Sequence, residues 1–440
     1  MLKAGLSAVD ITPPAGVRQA GYAGRTLPSL AVHDPLWARA LVLDDGSSRV
    51  GLVGLDLGGV PAALLAQVRE QAASRDGIEA EGLLLGATHS HSGPHLWSDE
   101  PTDLEREYAE SLPARVGEAI SGAVASLAEG SVSVASGWAA AGINRRELLP
   151  GGRVQLGRNH FGPFDPELGV LRVDDAHGET IGVVMNYAAH ALCLAEDNYL
   201  LTADYPGHAC HYVEDRLGKG VSIFFNGAAG DVNPREGPMY HGVLNGGSFL
   251  AAQHAGDAIA TETIRVLAKA VKLENSELAC ASRKIELPTN PERALKAAEE
   301  RVRAAEAQPR ARDYHFDRYL IWDQRVEGPE EARRCLERVK ARGDKPVEMV
   351  EIQAIAIGDL ALLGWAGEVF CELGMMAKAG SPYARTYVLG YANGSVGYIP
   401  TPDAYPLGGY EVECALHLAD NAGLVLVERS LALLNQMRGR

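Results

Sequence analysis

Eight short apolar runs set the terms on which this chain can fold: 37–43, 49–56, 82–87, 181–187, 221–226, 350–356, 359–364 and 386–390. Runs of this length, several closed by glycine-rich or polar turns, predict buried strands. The stretches 60–75, 103–128, 205–217, 249–271, 367–378 and 413–435 have helical spacing instead, and Thr102 with Asp103 offers a cap for the second of them. Strands interleaved with helices predict an α/β fold.

The segment 290–345 has a different texture. PERALKAAEERVRAAEAQ and GPEEARRCLERVKARG are charged and rich in Ala and Arg, which predicts two exposed helices around an aromatic stretch, YHFDRYLIW. They read as an insertion covering part of the main domain, either a lid or a subunit contact. A chain of 440 residues, 46% hydrophobic, can bury a large core. Without a Ser/Pro-rich linker, one domain over 1–440 is expected.

Composition excludes several function classes. Net charge is -16, and the Lys and Arg that gather in 283–345 are interleaved with acids, so no basic stripe for nucleic acid is present. No stretch approaches the roughly 20 apolar residues a spanning helix needs. The opening MLKAGLSAVDITPP reaches Asp10 and two prolines before an apolar export signal could develop, so a cytoplasmic location is expected. Cys193, Cys210, Cys280, Cys335, Cys371 and Cys414 form no CxxC pair and suggest neither a thiolate zinc knot nor a disulfide framework.

The segments just after these strands are rich in reactive side chains. LLLGA runs into THSHSGPH (88–95), VVMNYAA into His190, SIFFNG into AAGDVNP (228–234), LLGW into AGE (366–368), and YVLG into YANGSVGY (391–398). Ligands of open α/β sheets gather at such carboxyl ends. If THSHSG is extended, His89 and His91 project from one face and can meet one ion or one substrate. Imidazole and carboxylate suit zinc, and His190 with Glu368 would complete a set that leaves a position open for water. Taken singly, the others have plainer readings. His190 reads as a core histidine, Glu368 as a first-turn carboxylate, AAGDVNP as a turn in which Gly230 permits positive φ, and Tyr398 and Tyr410 as half-buried aromatics.

Together, the order and wording of these segments resemble the catalytic domain of the neutral (non-lysosomal) ceramidases. The likeness runs nearly end to end: GLSAVDITPP, GYAG at 21–24, WARALVL at 37–43, THSHSGP at 88–94, INRRE at 143–147, NYAAHA, DYPG at 204–207, NGAAGDVNP at 226–234, AGEVF at 366–370 and GYIPTPDAYPLGGYE at 397–411. The resemblance implies an α/β fold of layered mixed β-sheets flanked by helices. It also implies a zinc ion held by His89, His190, Glu368 and Tyr398, with His91, Arg145 and Tyr410 serving substrate and transition state.

Two departures bear on the substrate. Where that family's GDVSP motif carries a serine regarded as catalytic, this chain has Asn233, which has no hydroxyl to act as nucleophile but can orient a carbonyl or donate to an oxyanion. The chain also ends soon after the catalytic region, so the family's C-terminal β-sandwich is not expected. The resulting expectation is a zinc-dependent amidohydrolase, acting on carbon–nitrogen bonds other than peptide bonds. Metal-activated water would be deprotonated by His91, and Arg145, Tyr410 and Asn233 would stabilise the oxyanion. A small N-acyl compound suits this better than membrane ceramide. The rivals are an esterase or lactonase on the same site and a metal-bearing binding protein without catalysis. Oligomerisation stays open.

Overall fold

Two wings of one mixed sheet, folded face to face, fix the positions of the other layers and of the strand-end loops. The computed structural model describes residues 1–22, 25, 27–238, 247–307 and 329–439. Its nine-stranded sheet runs in the order Val221–Asn226, Thr180–Tyr187, Glu167–Asp175, Ala128–Trp138, Lys3–Asp10, Trp37–Asp44, Arg49–Leu55, Leu83–Ala87, with Val271–Lys272 added beside Ala128–Trp138. The wings join through two residue pairs only, Lys3 with Glu129 and Ala4 with Ala128. A sheet joined so narrowly can bend sharply there, and Val221–Asn226 comes to lie across the other wing. A Cβ on Gly54 would stand 2.6 Å from Ile223, and one on Gly86 2.6 Å from the Phe225 ring, so glycine is what lets the wings meet.

A second sheet, Leu278–Pro288, Val347–Ile357, Leu360–Trp365 and Arg385–Leu389, packs on this pair. Leu41, Leu52, Leu84, Val184, Ile223, Phe225, Ile355, Leu362 and Leu389 share one core where the three layers converge. Helices Asp103–Ala125, Asp204–Leu217, Phe249–Leu267 and Ala422–Arg438 cover the outer faces. The layered α/β architecture expected from the sequence is the one observed.

All eight apolar runs form strands within two or three residues of the expected bounds, and Leu83–Ala87 and Leu360–Trp365 are buried along their whole length. Four helical expectations shift, that over 249–271 ending at Leu267 with Val271 in a short strand. The helix expected over 367–378 is Cys371–Gly380, because Glu368–Val369 pairs with Tyr398–Ile399 as a short parallel ladder. The helix expected over 413–435 breaks into Tyr410–Cys414 and Ala422–Arg438, because the backbone between them bonds to residues 288–290. That over 60–75 is α-helical for Ala62–Gln71 and ends in a wider π turn at Ala72–Asp76.

The insertion contains helices Pro291–Ala307 and Pro329–Arg342, joined by an ion pair between Arg333 and Glu306. The aromatic stretch YHFDRYLIW and part of GYAG lie outside the described residues. Among the described residues no helix is long and apolar enough to cross a membrane.

Candidate metal and catalytic site

Loops leaving the carboxyl ends of five strands meet at one point and are stitched by backbone bonds. His91 N–H donates to Ala191 O at 3.0 Å, His190 N–H to Val232 O at 2.9 Å, Ala87 N–H to Tyr391 O at 3.1 Å and Gly230 N–H to Val369 O at 2.8 Å. Gly230 is needed here for close approach rather than for positive φ, since a Cβ on it would stand 2.3 Å from the Glu368 carbonyl oxygen.

His89 and His91 converge by a different route from strand alternation. His89 sits in the left-handed region at φ 63°, and that turn brings its Nε2 within 3.2 Å of His91 Nε2. The second nitrogen of each flanking imidazole is engaged: His89 Nδ1 donates to Gly58 O at 2.6 Å, and His190 Nδ1 to Ala229 O at 2.7 Å. A ring that donates from Nδ1 presents an Nε2 lone pair, so the surroundings fix the ligating tautomer. Both lone pairs face Glu368 Oε2, which lies 3.1 Å from His190 Nε2 and 3.5 Å from His89 Nε2. One ligand atom from each of His89, His91 and His190 falls within a 4.8 Å span. This donor chemistry fits a zinc ion.

The electrostatics agree with that fit. Burial lowers the pKa of His190 to about 4, with the Arg145 charge adding to the effect. Burial, then the neighbouring His89 and His190, hold His91 well below its ordinary value, which keeps the imidazole neutral. Burial alone would raise Glu368, but the adjoining His89 and His190 more than offset it and leave the carboxyl well below its usual range.

Arg145 organises the other half of the site and is 2% exposed. Its Nε donates to Glu411 Oε1 at 2.7 Å, Nη1 to His190 Nε2 and Asn233 Oδ1 at 3.1 Å each, and Nη2 to the Tyr398 hydroxyl at 2.9 Å. The Tyr398 and Tyr410 rings meet edge to face at 5.6 Å, with the Arg145 guanidinium 5.4 and 5.9 Å from their centroids. Tyr398 is thus beside Arg145 and in register with Glu368. Burial lifts its hydroxyl well above the ordinary tyrosine range, the Arg145 charge only partly offsetting this. The eight residues singled out from sequence, His89, His91, Arg145, His190, Asn233, Glu368, Tyr398 and Tyr410, therefore stand around one centre.

Residues 2–246 match the family described as neutral/alkaline non-lysosomal ceramidase, N-terminal. The chain belongs to this family. A neutral ceramidase of Pseudomonas aeruginosa is 26% identical over 244 residues, covering 52% of this chain and 36% of that protein. One of Mycobacterium tuberculosis is 22% identical over 472 residues, covering 93% and 73%. The match thus spans about a third of the Pseudomonas protein's length. The crystal structure of neutral ceramidase from Pseudomonas aeruginosa aligns over 99% of this chain and 75% of that one, with a TM-score of 0.74 at 21% identity, which shows a shared fold.

Around this centre, four contributors escape a reading of the sequence. Tyr391 stacks on His89 with centroids 4.1 Å apart and planes 22° apart, and its hydroxyl lies 3.5 Å from His190 Nδ1. Glu411, 0% exposed, ties Arg145 to Arg146. Gly21 and Tyr22 pack on the His91 ring. Tyr391 and Glu411 had a signal, one at the end of a buried strand and the other beside Tyr410; Gly21 had only its place in GYAG.

Proposed function

We propose that this member of the ceramidase family is a zinc-dependent amidohydrolase acting on a small N-acyl compound, with His89, His190, Glu368 and Tyr398 as the residues that hold the metal. The observation that carries the reading is the pair of imidazoles locked by Gly58 and Ala229 carbonyls so that both lone pairs converge on Glu368 Oε2. An ion held there supplies Lewis acidity toward a carbonyl oxygen and makes water easier to deprotonate.

The chain's own residues do the rest. His91 takes the proton of the attacking water at Nε2, the nitrogen that faces the centre, and returns it to the leaving nitrogen. With His190 Nε2 given to the metal, Arg145 is held by Glu411 at Nε, orients Asn233 and Tyr398 through its terminal nitrogens, and acts by its charge on a developing oxyanion. Asn233 accepts from Arg145 through Oδ1, which leaves its NH₂ to donate toward a substrate oxygen. Tyr410, its ring edge to face with that of Tyr398, is the further residue proposed to meet the substrate. With Asn233 in place no serine acyl-enzyme forms at this position, and water attacks directly.

The test is metal content by elemental analysis, with turnover on a panel of N-acyl amides and esters, for wild type, His89→Ala, Glu368→Ala and His91→Ala. About one zinc per chain is expected in wild type, with loss of metal in the first two variants. His91→Ala should keep the metal and lose turnover by about 100-fold or more. Turnover on esters alone would make the protein an esterase. Metal binding unaffected by both ligand substitutions would refute the site.

A further inference from the structure

The helical insertion meets the rest of the chain at a place that bears on the site. Asn290 N–H donates to His417 O at 2.7 Å, Ala419 N–H to Pro288 O at 2.9 Å, and Thr289 bridges Leu418. Arg293, in the first turn of Pro291–Ala307, completes the grip. Its Nε donates to Leu416 O at 3.2 Å, Nη2 donates to the Leu418 carbonyl and Nη1 pairs with Asp420. The same guanidinium lies 4.5 Å from the centroid of the Tyr405 ring. One side chain of the insertion therefore touches both flanks of the segment 405–420.

Between those flanks stands Tyr410–Cys414, a helix of five residues. A helix that short has no stability of its own and takes its position from its neighbours. It is entered through Gly408 and Gly409, at φ 64° and 93°, where glycine sets few steric limits. Glu411 is anchored on the inner side by Arg145 and Arg146. Around this anchor, Arg293 adds to the backbone bonds from residues 288–290 and is the side chain that ties the 416–420 flank to Tyr405 on the other.

We propose that Arg293 is a positioning residue: it fastens the helical insertion to the segment carrying Tyr410 and so fixes where the Tyr410 hydroxyl stands over the substrate. This rests on the reading that Tyr410 touches substrate. Lysine cannot replace Arg293, since a single ammonium reaches neither three acceptors spread over Leu416, Leu418 and Asp420 nor the Tyr405 face at once. The insertion thereby becomes part of the catalytic apparatus through one side chain.

The experiment compares Arg293→Ala, Arg293→Lys, Tyr410→Phe and the Arg293→Ala/Tyr410→Phe double variant in the full chain, with Arg333→Ala as control. Metal content, kcat, KM and hydrogen exchange of peptides across 405–420 are read for each. Arg293→Ala should lower kcat by about 10-fold or more at unchanged metal content, Arg293→Lys nearly as much. In the Tyr410→Phe background the same substitution should cost almost nothing further, because both act through one hydroxyl. Exchange at 410–420 should speed up while 88–91 stays as in wild type, and Arg333→Ala should match wild type throughout. Fully additive losses in the double variant, or faster exchange confined to 291–307, would overturn the proposal. If wild type turns over no member of the panel, the proposed activity fails, and the exchange pattern still decides whether Arg293 holds the segment. Arg293→Lys keeps the charge and serves if the alanine variant does not fold.

Discussion

Gly21 shows how tightly the His91 imidazole is seated. Its φ of 92° is open to glycine alone without strain, and a Cβ there would stand 2.3 Å from His91 Cγ. Gly21→Ala must therefore push the ring, the backbone or both. Turnover should fall by about 10-fold or more because the proposed base leaves its place, while metal content stays near wild type, since His91 is not among the proposed ligands. Loss of metal in this variant would move His91 into the ligand set, where its Nε2 lies close enough to belong. At this scale the sequence was most informative where a residue type has few other uses. The two histidines of THSHSG after a buried strand had no packing explanation, whereas Tyr391 reads like any half-buried aromatic until its ring is seen on His89. Arg145 was found through the family likeness. Its bonds to His190, Asn233, Tyr398 and Glu411 join residues 45 to 266 positions away, which no local pattern encodes.

Elements were legible in proportion to how apolar they are. Leu83–Ala87 and Leu360–Trp365 are buried on both faces and appear in the sequence as unbroken apolar runs. Ala128–Trp138, Glu167–Asp175 and Leu278–Pro288 went unseen because each is long and only partly buried, so polar residues interrupt the run. The helix over 103–125 was marked by its cap. Thr102 accepts from Glu105 N–H at 3.3 Å, and Glu105 Oε2 accepts from Thr102 N–H at 2.9 Å, a reciprocal box. Glu105 also takes the Arg18 guanidinium, at 2.6 Å, and is 5% exposed. Thr102→Ala should cost about 1 kcal/mol. Glu105→Ala should cost at least twice as much, because Arg18 loses its partner along with the box. Urea titrations of both variants measure the difference. Equal losses would mean that the Arg18 pairing adds nothing to the cap.

For the molecule as a whole, the bend between the two wings was invisible in sequence. It depends on a two-pair junction at Lys3 and Ala4 and on glycines that admit the opposite layer, and neither leaves a periodic trace. What joins the layers also makes stability depend on pH. Asp204 opens the helix Asp204–Leu217 and accepts Cys193 N–H at 2.9 Å and Tyr205 N–H at 2.6 Å, linking that helix to the loop beyond His190. Burial, only partly offset by those bonds, raises its pKa from 3.8 to about 6. A carboxyl with a raised folded pKa favours the protonated native state, so its contribution is whole below pH 3.8 and is lost as pH rises through about 6. A shift of about two units corresponds to roughly 3 kcal/mol. Asp204→Asn removes the titration while tolerating the backbone, since Asp204 lies at φ 56° and asparagine adopts that region readily. The amide keeps one acceptor of two, so the variant should be less stable than wild type at pH about 4, by about 1–3 kcal/mol. Between pH about 4 and 7 the wild type should lose about 3 kcal/mol relative to the variant, narrowing or reversing the gap. Urea midpoints of both proteins at the two pH values give the comparison. A gap that stays constant would show that Asp204 is ionised in the folded protein throughout, with its two backbone donors outweighing burial.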